Sequence, residues 1–347
     1  MTVFKKAAFL LLLTLIIPTT ALRAQFANTM IKTKNEAYTD SLKQVEYNYT
    51  FPILGQGAYK KGFDIPYPAG IMGNYMWMTQ NLVFENLQLG LKTDQVDIPL
   101  TDVGFVQFGE NTNTSYSINV RPDLWVLPFL NLYGIFGYGG SKTEVNVIAP
   151  INLLSIVDQN IRTAGFGIMG AGGIGPVWFS IDANWTWSKP DLLDKPVLVN
   201  VLGLRLGRTF KFKHKPESNI AIWAGAMGMQ MSSDTSGEIK LIDAIPPEAW
   251  DRKDEIVDNY YDWYENEATP KQKIVADQIL TPIVEKIDNA DGESIIRYGM
   301  DKQVQQKWNG TIGIQYQLNK RWMLRSEVGF IGNRKSILAS LNYRFLL

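Results

Sequence analysis

The stretch VWFSIDANWTW, residues 177–187, alternates between two phases almost without error. Val177, Phe179, Ile181, Ala183, Trp185 and Trp187 fall on one face of an extended chain. Trp178, Ser180, Asp182, Asn184 and Thr186 fall on the other. Period two marks a strand set between an apolar and a polar environment. Which face meets water decides the fold. In a soluble sandwich the apolar face is a core; in a membrane barrel it faces lipid, and Asp182 points into the lumen.

The pattern recurs. In KWNGTIGIQYQL, Trp308, Ile312, Ile314, Tyr316 and Leu318 oppose Asn309, Thr311, Gln315 and Gln317. In RWMLRSEVGF, Trp322, Leu324, Val328 and Phe330 oppose Arg321, Arg325 and Glu327; in SILASLNYRF, Ile337, Leu341, Tyr343 and Phe345 oppose Ser340, Asn342 and Arg344. Alternation and turn residues predict about twelve strands, near 70–79, 82–91, 102–109, 113–123, 129–140, 161–173, 176–187, 196–211, 218–231, 307–318, 321–332 and 335–346. Around 198–210 the phase is mixed and its faces stay unassigned.

Aromatic placement separates lipid from a soluble core. With antiparallel strands and both termini at the periplasmic side, Tyr138, Trp185, Trp187, Trp308 and Phe330 gather at the outer end of the apolar phase. Tyr316, Trp322, Tyr343 and Phe345 gather at the other. Two aromatic rings on one phase, roughly 20 Å apart, match the girdles of a lipid-facing band about 25 Å tall. A soluble barrel has no reason to ring both ends of its apolar face this way. The polar phase carries Arg121, Asp182, Arg205, Arg325, Glu327 and Arg344, the candidate lumen-lining residues. Charge is costly toward lipid and tolerated in a wet lumen. Mixed signs point to interior ion pairs, with a charge-selective path as the other reading.

The N-terminus fits that destination. Lys5 and Lys6 form a basic region, Ala7 to Ile17 an apolar run, and Leu22-Arg23-Ala24 a cleavage site, so 1–24 reads as a secretory signal peptide. No cysteine follows for lipidation, and the chain of 347 residues has none elsewhere. Outside the leader no apolar run reaches about eighteen residues, so no transmembrane helix is expected. A formal net charge of zero argues against nucleic acid.

Residues 25–68, rich in Gly and Pro turns, form an N-terminal periplasmic or lumen-plugging segment ahead of a barrel at 69–347. Short links (IGP, NK, TDQVDIPL, KHKPES) fall on the periplasmic side, and long ones, 141–160, 188–196 and 232–306, outside. The insertion 232–306 is helical: Thr269-Pro270 is a cap with proline at the first helical position, Ile279 to Ile287 form an apolar stripe, and Pro282 should kink it. A companion helix starts near Pro247 and carries Trp250, Tyr260, Tyr261, Trp263 and Tyr264. The insertion is a candidate surface for a protein partner. The acidic and aromatic cluster Asp258 to Glu267 reads as a solvated helix face, with a cation or sugar site as the other reading; it lacks calcium-loop spacing, so no metal or cofactor is expected.

Enzymatic signals are weak. The single histidine, His214, sits among lysines in a periplasmic turn, far from any candidate nucleophile. GIMGAGGIG (167–175) lacks the Gly-Lys-Ser/Thr ending of a phosphate loop, and its glycines suit close approach of a plug or backbone.

Together the leader, the girdled strands and the terminal LNYRFLL resemble the outer-membrane β-barrel proteins of Gram-negative bacteria. In that class a terminal aromatic residue is read by the barrel-assembly machinery; Tyr343 and Phe345 match it, although two leucines follow. The segments 64–91 and 121–139 also resemble a barrel family without an assigned activity, and no site residues carry over. The expectation is an all-β transmembrane antiparallel barrel of about 12 strands with a plug-like N-terminal segment and an extracellular helical insertion. Two functions suit it: a structural or accessory barrel with a filled lumen, or a passive or gated channel for small solutes.

Overall fold

The structure, a computed structural model, describes residues 37–347 apart from 175, 213, 216 and 233. The signal peptide and the first part of the N-terminal segment lie outside the described residues.

Ten antiparallel strands close into a barrel: β1 (Ala69–Lys92), β4 (Asn111–Leu127), β5 (Leu130–Ala149), β6 (Leu153–Ile174), β7 (Val177–Pro190), β8 (Val197–Lys211), β9 (Asn219–Met231), β12 (Trp308–Gln317), β13 (Trp322–Gly329) and β14 (Arg334–Phe345). Closure is made by β1, which pairs β14 from Ala69↔Phe345 to Gln80↔Arg334 and β4 from Ala69↔Leu124 to Leu82↔Asn111. Every backbone group in the lipid layer can then be satisfied without an open edge. The expectation of about 12 strands is corrected to ten. The two strands read at 70–79 and 82–91 are one, because the ladder to β4 runs unbroken through Gln80↔Asn113 and Asn81↔Thr112. Nor is 102–109 a wall strand.

Four further strands stand above the wall at one end: β2 (Asp97–Asp102), β3 (Gln107–Phe108), β10 (Asp234–Lys240) and β11 (Ile295–Val304). Above Leu82, β11 takes the place that β14 holds lower down, and β2 continues on the β4 side. The TDQVDIPL link therefore lies at this extended end, not with the short turns as expected. Much of the 141–160 "loop" is likewise strand, because β5 and β6 continue paired as far as Val147↔Leu153.

The insertion roofs the extended end. Between β10 and β11 run α2 (Leu241–Ala244), α3 (Pro247–Trp250), α4 (Lys253–Asn266), α5 (Pro270–Val275) and α6 (Thr281–Asp288), numbered after α1 (Gly55–Lys60). Thr269 caps α5 in a reciprocal box with Gln272. The five residues Ala276–Leu280 form a π-turn just ahead of Pro282, which has no N–H for the regular ladder. The expected stripe is buried: Ile279, Ile283, Val284 and Ile287 pack on Ile256, Val257, Tyr260 and Trp263 of α4. They also pack on Leu87, Leu91 and Leu153 of the wall strands and on Ile239 and Ile296 of β10 and β11. Each such side chain contributes about 1.5–3 kcal/mol on leaving water. The roof is thus seated on the barrel.

The described part of the N-terminal segment caps the opposite, short-turn end. Residues 37–44 are helical, and α1 forms a small cluster with Tyr47 and Ile65. Ile53 N–H bonds Val126 O at the end of β4 (2.8 Å), and Asp64 pairs with Lys320 in the β12–β13 turn (3.5 Å). Of the two roles expected for 25–68, periplasmic or lumen-plugging, residues 37–68 lie across the turn end, and Pro66 borders the lower lumen.

Candidate functional site

The phases sort as the alternation demands. Phe179, Ile181 and Trp187 on β7, Ile312 and Ile314 on β12, and Ile337 and Leu341 on β14 are exposed on the outer surface. So are Tyr138, Trp308 and Phe330 toward the roof end, and Tyr316, Trp322 and Tyr343 toward the turn end. Trp185 and Phe345 are half-buried by neighbouring rings, Trp185 stacked on Phe166 at 5.4 Å and Phe345 beside Tyr343 at 6.5 Å. Trp322 packs on Tyr343 at 4.7 Å.

Inside, four of the six polar-phase residues singled out from sequence meet in one network across the middle of the lumen. Arg205 on β8 donates from Nε and Nη2 to Glu327 on β13 (2.6 and 3.0 Å) and pairs through Nη1 with Asp182 on β7. Arg325 donates from Nη2 to Glu327 Oε2 (3.2 Å) and lies over the Trp223 ring at 4.7 Å. A fifth, Arg121 on β4, is not ion-paired. It lies 3.5 Å from the centre of the Tyr133 ring, whose hydroxyl donates to Asn184 (2.7 Å), which in turn reaches Asp182 (3.1 Å). The sixth, Arg344, belongs to a separate cluster at the turn end: it donates to Asp123 (2.9 Å) and to the carbonyls of Tyr67 (2.7 Å) and Pro68 (3.1 Å). Bidentate guanidinium–carboxylate pairing suits such desolvated positions.

The sequence reading missed Trp223 and Tyr133, and placed Asn184 on the lumen phase without a role in a network. Trp223 Nε1 donates to Glu327 Oε2 at 2.6 Å. The cross-strand partner explains how such rings fit: Trp223 faces Gly313, and Tyr133 faces Gly167. A Cβ on Gly313 would come within 2.1 Å of the indole, and one on Gly167 within 2.3 Å of the phenol. Gly167 belongs to the glycine-rich run, so the close approach there is by a lumen ring rather than a plug.

This network is a floor. Above it, up to the roof, lies a cavity of about 590 Å³. Its walls are Met76, Met78, Leu82 and Phe84 of β1, Val197, Val199 and Val201 of β8, and Met227, Met229 and Met231 of β9. Its ceiling is Leu241, Ile245, Tyr260, Leu280, Ile283, Val284 and Ile287. Eight of the chain's 11 methionines line it. A second cavity, of about 150 Å³, lies on the turn side, and Arg121, Arg325, Met72 and Met169 line both. The upper lumen is apolar where a water-filled pore would be polar.

That explains the mixed phase at 198–210. Val197, Val199 and Val201 face the chamber while Leu202, Leu204 and Leu206 are exposed outside, so both faces of β8 read apolar. The remaining sequence candidates fall elsewhere. His214 is exposed in the β8–β9 turn, and Tyr264 is engaged by Asp277 (2.7 Å) and lies under Lys273 at 4.9 Å.

A closed antiparallel wall, an apolar exterior rimmed by aromatic rings and ion pairs across the lumen define an integral β-barrel of the outer membrane. No helix among the described residues is long and apolar enough to cross a membrane. No protein-family model matches the chain, and no curated sequence does. Among solved structures, the chain is similar to the β domain of the Bordetella autotransporter BrkA, at 11% identity and a TM-score of 0.34, over 80% of this chain and 100% of that one. The translocator domain of autotransporter NalP from Neisseria meningitidis matches at 11% identity and 0.33, over 92% and 100%. The Ralstonia pickettii toluene transporter TbuX matches at 6% identity and 0.28, over 81% and 90%.

Proposed function

We propose that this outer-membrane barrel takes a small apolar molecule into its lumen and that its path is gated, not open. The short-turn end faces the periplasm and the helical roof faces outward, as short turns and long outer loops do in such barrels. One observation carries the reading: a chamber of about 590 Å³ walled by methionine and aliphatic side chains. That volume lies within the range of small-molecule sites, and a methionine wall adapts to ligands of varied shape. Below it, Arg205, Asp182, Arg325 and Glu327 span the lumen and argue against steady conduction. No catalytic step, metal or cofactor enters this reading. Lipid holds the outer belt, and the barrel-assembly machinery would read Tyr343 and Phe345.

The test pairs two measurements on purified protein. In planar bilayers, no stable open conductance is expected, and deleting residues 25–68 should leave the barrel closed, since the floor remains. Equilibrium dialysis with 2-naphthalenemethanol should show saturable binding that Met229→Trp, which narrows the chamber, weakens. A large steady conductance would overturn the gate. A closed barrel with no binding would favour a second reading, an accessory barrel with a filled lumen, which the ion-pair floor supports.

A further inference from the structure

The inner phase of β11 reads Ile296, Tyr298, Met300, Lys302, Val304, and all but Val304 line the chamber. Lys302 is the one charged residue in that row. It pairs across to Phe84 on β1, four positions beyond Gln80, where β14 begins, so it stands above the lipid belt. Its Nζ lies 6.0 Å from the centre of the Phe84 ring. No carboxylate lies within ion-pair distance of it among the described residues. The acidic neighbours Glu85 and Asp301 are on the opposite phase of their strands, and Asp234, across from Asp301, is exposed. Burial in these apolar surroundings pulls its ammonium down to about 8. A lysine so placed is costly to hold as a cation unless something anionic joins it.

The floor differs. Arg205 and Arg325 are engaged by Asp182 and Glu327, and Arg121, which has no ion pair, lies on the Tyr133 ring at the floor, so Lys302 is the unpaired cation of the chamber's apolar upper wall.

Resting on the apolar-ligand reading above, we propose that the chamber's ligand is an amphipathic monoanion, an apolar body bearing one carboxylate, with that carboxylate held by Lys302. The body lies along Met78, Met229, Met300 and Phe84, which offer thioether and ring contacts. One ammonium with three donors and no second cation beside it suits a singly charged head. A phosphate dianion would call for an arginine fork or several cations.

The experiment measures equilibrium dialysis of 2-naphthoate and of neutral 2-naphthalenemethanol against detergent-purified protein. Folding of each variant is checked by heat-modifiable gel mobility. Wild type should hold the acid roughly 10- to 100-fold more tightly than the alcohol, the span of a hydrogen bond to a charged group. Lys302→Met should remove that difference and keep the alcohol's affinity, whereas Lys302→Arg should retain the preference. Equal affinity of wild type for the two probes, or equal losses of both in Lys302→Met, overturns the assignment of Lys302 and leaves the apolar chamber standing. If neither probe binds, the apolar-ligand reading itself fails.

Discussion

The two halves of the lumen are built from the same strands on opposite principles. The lower half is filled by charge: Arg205 bridges Asp182 and Glu327 between β7, β8 and β13, and Arg325 and Trp223 complete the shell of Glu327. The upper half is left open and lined by methionine, valine and leucine. The carboxylates Asp182 and Glu327 in the lower half have their cations built into the wall. In the upper half the wall offers no partner to Lys302. The contrast teaches that one barrel can be rigid where charges cross it and adaptable where only flexible apolar chains face each other. Rigidity below closes the path, and adaptability above leaves room for a guest.

The largest expected effect comes from breaking the floor. Glu327→Ala strands Arg205, Arg325 and the Trp223 N–H inside the barrel, and removing one partner of a buried pair costs about 3–5 kcal/mol. Met229→Ala in the chamber removes contacts on one side only, because its side chain borders open space. Its cost should sit at the low end of the methionine-to-alanine range, about 2 kcal/mol. Urea unfolding in lipid vesicles ranks the two. A larger loss for Met229→Ala would mean that the chamber, not the floor, is the packed part.

A somewhat smaller effect tests inside against outside. Ile181→Arg on the lipid face should cost about 2–4 kcal/mol near the midplane, and Ser117→Arg, directed into the chamber, much less. Folding yields into vesicles provide the comparison. Equal yields would reverse the phases.

The wall was legible because its signal is local. Alternation in 177–187, 308–318, 321–330 and 336–345 identified the lipid face, and the aromatic rims fixed its two ends. Of the lumen, the sequence disclosed the charged floor, since charge on a polar phase needs no partner to be noticed. Three things were hidden. The count was too high because β1 runs 24 residues and rises out of the lipid layer, so that Gln80-Asn81 resembled a turn. β10 and β11 escaped notice because they pair far from each other in sequence, around an insertion whose helical stripe dominated the pattern. The chamber was invisible because an apolar lumen cancels the alternation that reveals a barrel strand, which left β8 unassigned. The same cancellation concealed Lys302: in IIRYGMDKQV it reads as one polar residue among several until the row it shares with Ile296, Tyr298 and Met300 is known.

The smallest effect is a pH dependence that only the upper half should show. Lys302 has its ammonium pulled down to about 8 by burial alone, and the charged groups nearest it in the strands, Glu85, Asp234 and Asp301, do not share its face. A depressed lysine is protonated below that value and neutral above it. The affinity for 2-naphthoate should therefore be level between about pH 6 and 8 and fall above pH 8, by at most about tenfold per pH unit, the equivalent of 1.4 kcal/mol. The bound anion favours the ammonium, so the fall ends where the lysine of the complex has itself titrated. The alcohol, which draws on no charge, should bind evenly across the range, and Lys302→Met should bind both probes evenly. The floor is no part of this comparison, because Arg205 and Arg325 are engaged by Asp182 and Glu327 and do not meet the carboxylate at Lys302. A matching fall for the alcohol would assign the change to the barrel as a whole. An acid affinity that stays level to pH 10 in wild type would show that the carboxylate does not meet Lys302.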